Sequence, residues 1–195
     1  MNRILKKFIF ADYKRLITLL IIFIISLILS ALIFLLTGHG QESISSINYN
    51  NISQLTFKVI FLKVFKRNIL YFIAVICLTC IGQGKIINGL FGLISVFYGL
   101  SVIYLIKAMQ KDKIYFILNF TDYFIFFPLI FYFTYISSTI SKYTKKTKKI
   151  ETISHKFDII ISGYIKLSIV YLLIVLVYSL GYSYYILILS RLLVK

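Results

Sequence analysis

The stretch LITLLIIFIISLILSALIFLL at Leu16–Leu36 contains no charged residue and directly follows Lys14 and Arg15. A hydrocarbon layer of about 30 Å needs about 20 apolar residues in a helix that rises about 1.5 Å per residue. In lipid, a single apolar run satisfies its backbone hydrogen bonds only as a helix. The stretch therefore predicts a membrane-spanning helix and, with it, an integral membrane protein.

The composition of the whole chain agrees with this interpretation. Of its 195 residues, 60% are hydrophobic and only 14% are charged, against about 25% charged residues in soluble domains. The mean hydropathy is +0.93. A net charge of +16 on a soluble protein would suggest nucleic acid as a partner. Here most Lys and Arg residues lie between apolar runs, so we expect membrane lipids with anionic headgroups as the partner and no nucleic acid.

Charged residues divide the chain into apolar runs, and these runs predict five spanning helices. They are expected near residues 16–37, 67–84, 88–107, 114–138 and 167–190. The predicted fold class is an all-α integral membrane protein, a polytopic bundle of about five transmembrane helices within a single membrane domain, 1–195. A turn at Gly82-Gln83-Gly84-Lys85 would separate the second span from the third. One long span with a re-entrant piece is the alternative over 67–107.

The placement of Lys and Arg predicts the orientation of the bundle. One basic cluster precedes the first span, and the other lies in the loop after the fourth span, 139–166. Four crossings separate the two clusters, so five spans bring them to one face, and the positive-inside rule makes that face cytoplasmic. We therefore expect a cytoplasmic N-terminus. The first apolar run is too long for a signal peptide and lacks a cleavage motif, so we interpret it as an anchor.

The segment 38–66 is the only sizeable polar piece before the last helices. Its first half, GHGQESISSINYNN, is polar and rich in turn formers. In its second half, apolar residues recur at helical spacing: Ile52, Leu55, Val59, Leu62 and Phe65. This pattern predicts an interfacial amphipathic helix that leads into the second span. The alternative is an extension of that span as one longer helix.

The cysteines and histidines of the chain do not form a pattern typical of a catalytic or metal site. Cys77 and Cys80 are embedded in an apolar run without further metal ligands, so we interpret them as packing residues. His39 and His155 are expected on opposite faces of the membrane, where they cannot share a site with each other. We therefore predict no enzymatic activity, no catalytic residues, no metal and no cofactor.

Asp122 is the one acidic residue inside a predicted span, with Asn119 about one turn earlier. A carboxylate at this depth costs about 2.5–3.5 kcal/mol on insertion scales, so it is expected to face the protein interior or an aqueous cavity. Asn119 and Asp122 are therefore candidates for a contact with another helix or with a partner. A structural hydrogen bond within the bundle is the simpler interpretation of the same two residues.

Three further residues are candidates for close helix contacts. Pro128 is the only proline of the chain and is expected to kink the fourth span, because it removes one helical hydrogen bond. Gly92 and Gly99 lie seven residues apart, on one face of the third span, and permit a close approach of backbones. Packing within the bundle is the simpler use of both glycines.

The run KYTKKTKK follows the fourth span. Its lysines Lys145, Lys146, Lys148 and Lys149 are candidates for contact with lipid headgroups. Such a run is more often a plain cytoplasmic loop.

The layout as a whole resembles stage II sporulation protein M of endospore-forming Firmicutes. The stretch NRILKKFIFADYKRLITLLIIFIISLILSALIF at 2–34 is similar to the family's basic segment and long first helix. FLKVFKRNILYFIAVICLTCIG at 61–82 is similar to its amphipathic segment, which ends in an Asn before a span. NGLFGLISVFYGLSVIYLI at 88–106 stands where the family has a glycine-containing helix pair, and FIFFPLIFYFTYISS at 124–138 matches a late span with a central proline.

The resemblance implies a non-catalytic scaffold in the bacterial cell membrane. Its partners would be membrane-anchored cell-wall hydrolases, stage II sporulation proteins D and P, held at the septal membrane during engulfment of the forespore. On this basis Thr37–Lys66 and Lys107–Lys113 would face the wall, and Phe91–Tyr98 and Asn119–Pro128 would provide helix contacts. The family's Gly-Phe pair stands here as Tyr98-Gly99-Leu100.

The main alternative is a permease subunit of an ABC-type exporter or of a peptide-immunity transporter. It would need a cytoplasmic helix that engages an ATPase, for which Ser141–Asp158 is the candidate. Such permeases usually have six spans. The chain lacks the paired histidine and nucleophile that a membrane protease needs. A pore-forming holin usually has fewer spans than the five predicted here.

Overall fold

A computed structural model describes residues 12–37, 56–109, 122–147 and 154–193 of the chain. These residues form five long helices: α1 (Tyr13–Thr37), α2 (Phe57–Ile81), α3 (Gly84–Met109), α4 (Phe127–Thr147) and α5 (Ser154–Leu193). A π-helical turn, Asp122–Phe126, leads directly into α4. Each long helix contains a stretch long and apolar enough to cross a membrane. The predicted all-α helical bundle is therefore confirmed.

Two helices begin earlier than the apolar runs that predicted them. α2 begins at Phe57 rather than near residue 67, and α5 begins at Ser154 rather than near residue 167. Lysine and arginine end an apolar run, but they are good helix formers and do not end a helix. Residues 57–66 therefore extend the second span as one helix, the second of the two alternatives. The rest of the predicted amphipathic segment lies outside the described residues.

The turn between α2 and α3 ends one helix and begins the next within two residues. Gly82 has a φ of 87°, in the left-handed region that favours glycine. Its N–H donates to Thr79 O at 3.1 Å, and the N–H of Gln83 donates to Leu78 O at 2.9 Å. These are the two hydrogen bonds of a Schellman C-cap. Residues 67–107 thus belong to two separate helices, α2 and α3, which this turn joins.

Pro128 lies at the second position of α4, two residues after the last residue of the π-helical turn, Phe126. In a regular α-helix, its ring would clash with the carbonyl group of Phe124, four residues earlier. A π-helical turn is wider, because its hydrogen bonds join residues five apart. The change in helical geometry thus coincides with the residue that cannot continue a regular hydrogen-bond ladder.

Contacts between helices show which of their ends lie together. At the start of α1, Asp12 accepts a hydrogen bond from Lys142 of α4, with Nζ 3.3 Å from Oδ2. The turn between α2 and α3 lies at the same end, since a methyl group on Gly84 would be 3.2 Å from Ser141 Oγ. The beginning of α1, with Lys14 and Arg15, and the end of α4, with Lys142, therefore share one end of the bundle.

α4 is the central helix of the bundle. It contacts each of the other four helices, and 61% of its spanning window is buried, against 33% for α2. Small hydroxyl side chains make this burial possible, because they let neighbouring backbones approach closely. The buried ones are Thr134, Ser137, Ser138, Thr139, Ser141 and Thr144. The Thr139 and Ser141 hydroxyls have no hydrogen-bond partner among the described residues, so small size is what they contribute.

Aromatic side chains fill the space between α4, α2 and α5. The fully buried ring of Phe133 lies 4.8 Å from Phe72 of α2 and 4.8 Å from Tyr171 of α5, measured between centroids. Both pairs are tilted, an arrangement that aromatic quadrupoles favour. The outward faces of α1 and α5 are apolar and exposed, for example Leu36 and Val177. This is the distribution expected of helices whose outer faces contact lipid.

α1 packs mainly on α3, and the contact depends on small residues from both helices. Ser26 Oγ of α1 donates to Gly92 O at 3.1 Å. The single proton of Ser30 Oγ is shared between Val96 O of α3 at 2.8 Å and Ser26 O of α1 at 2.7 Å. Side chains on α1 thus bond directly to the backbone of α3, which requires that no large side chain stands between the two helices. Gly99 meets this requirement opposite Ser30.

We expect Gly99→Ala to destabilise the bundle by about 1–3 kcal/mol, the usual cost of overpacking. A methyl group at this position would lie 2.9 Å from Ser30 Cβ, so α1 must move away. SDS denaturation of the purified protein, monitored by circular dichroism, measures the decrease in the free energy of unfolding. Gly89→Ala on the same helix is the matched control, because nothing lies within 4 Å of its added methyl group. Equal stability of the two variants would contradict this account of the α1–α3 contact.

Candidate functional site

A three-helix hydrogen-bond cluster lies in the buried interior. The Tyr164 hydroxyl of α5 donates to Thr79 Oγ1 of α2 at 3.1 Å and lies 2.9 Å from Ser137 Oγ of α4. All three side chains are buried. In a medium without water, such hydroxyls need partners from neighbouring helices. The cluster therefore joins three helices at one level of the bundle.

A second contact between α2 and α4 lies one turn of α4 away. Thr134 Oγ1 donates to Ile130 O at 2.7 Å. Its single proton is used there, so the Tyr71 hydroxyl, which also bonds to Thr134 Oγ1, acts as the donor. Both side chains are buried. Tyr71 is thereby held at the wall of the cavity described below.

Asn68 connects α2 to α5 and orients a cationic neighbour. Its Nδ2 donates to Ser179 Oγ at 3.2 Å, and its Oδ1 accepts from Arg67 Nε at 3.0 Å. Asn68 is only 1% exposed, so the amide is a fixed acceptor. The arrangement holds one edge of the Arg67 guanidinium in a defined position.

A cavity of about 210 Å³ lies between α2, α3 and the segment that leads into α4. Most of its wall is aromatic or aliphatic, with a few polar groups. The lining residues are Arg67, Asn68, Tyr71, Ile94, Phe97, Tyr98, Ser101, Tyr123, Phe126 and Ile130. The wall thus combines a mostly apolar surface with Arg67, Asn68, Ser101 and tyrosine hydroxyls.

Only some of the residues that the sequence singled out lie near this cavity. Gly92 and Gly99 are used in the α1–α3 contact, on a different side of α3. Asp122 is the first residue of the π-helical turn, directly before the lining residue Tyr123. Pro128 is exposed on α4. Asn119 lies outside the described residues.

The candidate lipid-binding lysines follow the central helix. Lys145 and Lys146 belong to the last turn of α4, and Lys148 and Lys149 lie outside the described residues. The segment Ser141–Asp158 was the candidate for an ATPase-engaging helix. Its described residues continue α4 to Thr147 and begin α5 at Ser154, so they belong to the ends of two long helices.

Sequence reasoning missed the polar contacts themselves. On α4, hydroxyl residues recur at Thr134, Ser137, Ser138 and Ser141, which is the spacing of one helical face. This signal was present in the sequence and marks a polar stripe inside an apolar run. Its partners on α2 and α5 lie far away along the chain, so no local pattern identifies them.

We expect Tyr164→Phe to destabilise the protein by about 1 kcal/mol, in the range measured for hydrogen bonds between membrane helices. The change keeps the ring and removes the hydroxyl that joins Thr79 and Ser137. SDS denaturation of the purified protein measures the effect. Tyr184→Phe is the matched control on the same helix, since Tyr184 is 60% exposed. A loss of the same size in both variants would show that the interior cluster contributes nothing specific.

Comparison of the chain with protein-family models, with curated proteins and with solved structures finds no match.

Proposed function

We propose that this chain is a non-catalytic membrane scaffold, similar to stage II sporulation protein M, that holds cell-wall hydrolases at the septal membrane. The observation that supports it is a row of aromatic side chains on the bundle surface. Phe57, Phe61 and Phe65 stack along α2, with centroid distances of 6.2 and 5.4 Å. Tyr184 of α5 meets Phe57 edge to face at 6.5 Å. We call these four residues the aromatic row.

The aromatic row packs on a buried hydrophobic cluster. Beneath it, α2 and α5 share a second hydrophobic cluster, separate from the main core, that includes Ile60, Val64 and Ile186. Ile60 and Ile186 are fully buried. Large aromatic side chains held on a rigid surface bind a partner with little loss of conformational freedom, and such residues dominate the energy of protein interfaces.

The level of the aromatic row suits contact with a membrane-anchored partner. Phe57 lies about 37 Å along α2 from the turn at Gly82, and Phe65 about 25 Å, at 1.5 Å per residue. A hydrocarbon layer of about 30 Å would end between them. Lys58, Lys63 and Lys66 interleave with the row. The row thus occupies the depth at which aromatic and basic side chains meet lipid headgroups.

The proposed orientation has the N-terminus in the cytoplasm. Arg15, Lys142 and the turn that precedes Lys85 belong to one end of the bundle, and cytoplasmic ends of membrane helices are enriched in such residues. The aromatic row lies toward the opposite end, which would face the cell wall. Hydrolases that act on peptidoglycan must be held on that side. A location in the septal membrane follows from the resemblance alone.

We expect deletion of the gene in its source organism to arrest sporulation, with septa that form but do not engulf the forespore. The wild-type gene is expected to restore engulfment. A Phe57→Ala, Phe61→Ala, Phe65→Ala variant is expected to fail, because it removes most of the aromatic row. Fluorescence imaging of membrane-stained cells measures both outcomes.

Leu70→Ala is the matched control, a truncation of an exposed apolar side chain on the same helix. It is expected to restore engulfment and to retain co-purification of the two hydrolases, which the triple variant is expected to lose. Normal spores in the deletion strain would overturn the proposed function. Full activity of the triple variant, at wild-type membrane levels, would overturn the role of the aromatic row.

A further inference from the structure

Three charged side chains meet where the beginning of α1 contacts the end of α4. Asp12 Oδ2 lies 3.2 Å from Arg15 Nε and 3.3 Å from Lys142 Nζ. Both cationic groups therefore share one carboxylate oxygen, and Asp12 itself is buried. We call these three residues the charged junction. Its two positive charges exceed its one negative charge, so the junction as a whole is positive.

The depth of the charged junction is that of lipid phosphate groups. Arg15 directly precedes the uncharged stretch Leu16–Leu36, whose helical length matches a hydrocarbon layer of about 30 Å. With this stretch inside the hydrocarbon, the guanidinium of Arg15 lies at its edge, where the headgroups of one leaflet begin. The anion that meets the junction from the membrane side is therefore the phosphate of a lipid.

The guanidinium of Arg15 has donors left for a second anion. Its ion pair with Asp12 is made through Nε, and among the described residues no hydrogen bond uses its two Nη amino groups. A guanidinium carries five N–H donors in a planar fork that matches the geometry of a phosphate group. The Arg15 side chain is 23% exposed, so the fork is positioned by Asp12 and still reachable from the headgroup layer. Lys142, with 43% of its side chain exposed, supplies the second cation.

A buried hydroxyl group of α4 lies on the side of that helix that faces Arg15. Arg15 interacts electrostatically with Tyr135 and Tyr143 of α4. Thr139 lies midway between these tyrosines, one turn from each, on the same face of the helix. Thr139 Oγ1 is buried and has no hydrogen-bond partner among the described residues. The small size of Thr139 serves the packing of α4, but a buried polar group without a partner is costly and points to a ligand or a water molecule. An oxygen of an anion bound by Arg15 would supply that partner.

We propose that the charged junction binds one anionic phospholipid, with its phosphate between Arg15 and Lys142 and against Thr139. The single negative charge of a phosphodiester neutralises the excess positive charge of the junction. A zwitterionic headgroup adds a positive charge of its own, which the two cations repel. This inference does not depend on the proposed scaffold function. It also differs from the candidate lysines at the end of α4, because a half-buried arginine in a fixed position selects one lipid, whereas a basic run attracts anionic lipids in general.

The purified full-length chain in a neutral detergent, titrated with phosphatidylglycerol and with phosphatidylcholine of the same acyl chains, tests the proposal. Native mass spectrometry counts the bound lipids. We expect the wild type to retain one phosphatidylglycerol in preference to phosphatidylcholine. Arg15→Gln is expected to lower the affinity for phosphatidylglycerol about tenfold, the effect of losing a charge-assisted contact. Lys14→Gln removes the neighbouring exposed cation of the same helix, and as the matched control it is expected to bind like the wild type.

A second variant tests the site without changing its charge. Thr139→Val keeps the size of the side chain and removes only the hydroxyl group. It is therefore expected to retain the fold and to lower the affinity for phosphatidylglycerol about threefold or more, the effect of losing one hydrogen bond. Circular dichroism and SDS denaturation establish that each variant keeps the fold.

Three outcomes would overturn the proposal. Equal losses of affinity in Arg15→Gln and Lys14→Gln would show that the lipid responds to surface charge alone. Unchanged binding by Thr139→Val would show that the phosphate does not lie against α4. Displacement of phosphatidylglycerol by an equal concentration of free glycerol phosphate would show that the junction recognises a soluble anion rather than a lipid.

Discussion

The hydroxyl face of α4 is the constraint on which the rest of the bundle depends. Its serines and threonines are small enough to let four other helices approach, and two of them bond to tyrosines from α2 and α5. In water, such contacts would compete with solvent, but in a membrane the alternative partners are few. The aromatic core around Phe133 then fills the spaces that the small residues leave.

The polar groups of the protein are divided between two uses. Those near α4 join helices, as Tyr164 does for Thr79 and Ser137. Those farther from α4 lie at a cavity or at the bundle surface. Arg67 lines a mostly apolar cavity, and lysines alternate with the aromatic row along α2. The first use joins helices in the interior, and the second leaves charge at the surface of the bundle.

The structure supports the sequence analysis at the level of whole helices and departs from it at their ends. The apolar runs predicted all five helices, and the Gly82-Gln83 turn was predicted from local chemistry alone. The helices α2 and α5 begin before the predicted spans, at Phe57 and Ser154, because lysine and arginine end an apolar run without ending a helix. The π-helical turn before Pro128 explains how the only proline is accommodated, but its type was not predictable. A wider turn is one of several responses to the same missing hydrogen bond.

The helical class, the five apolar helices of the described residues and the hydroxyl face of α4 can all be read from local sequence. These properties follow from the identity and spacing of neighbouring residues, since backbone hydrogen bonds in lipid must be made locally. Only the tertiary structure decided which side chains meet. Tyr71 bonds to a threonine 63 residues away, and Asn68 bonds to a serine 111 residues away. Such pairs, and the cavity lined by Arg67, arise from how five helices pack together, and no single segment carries that information.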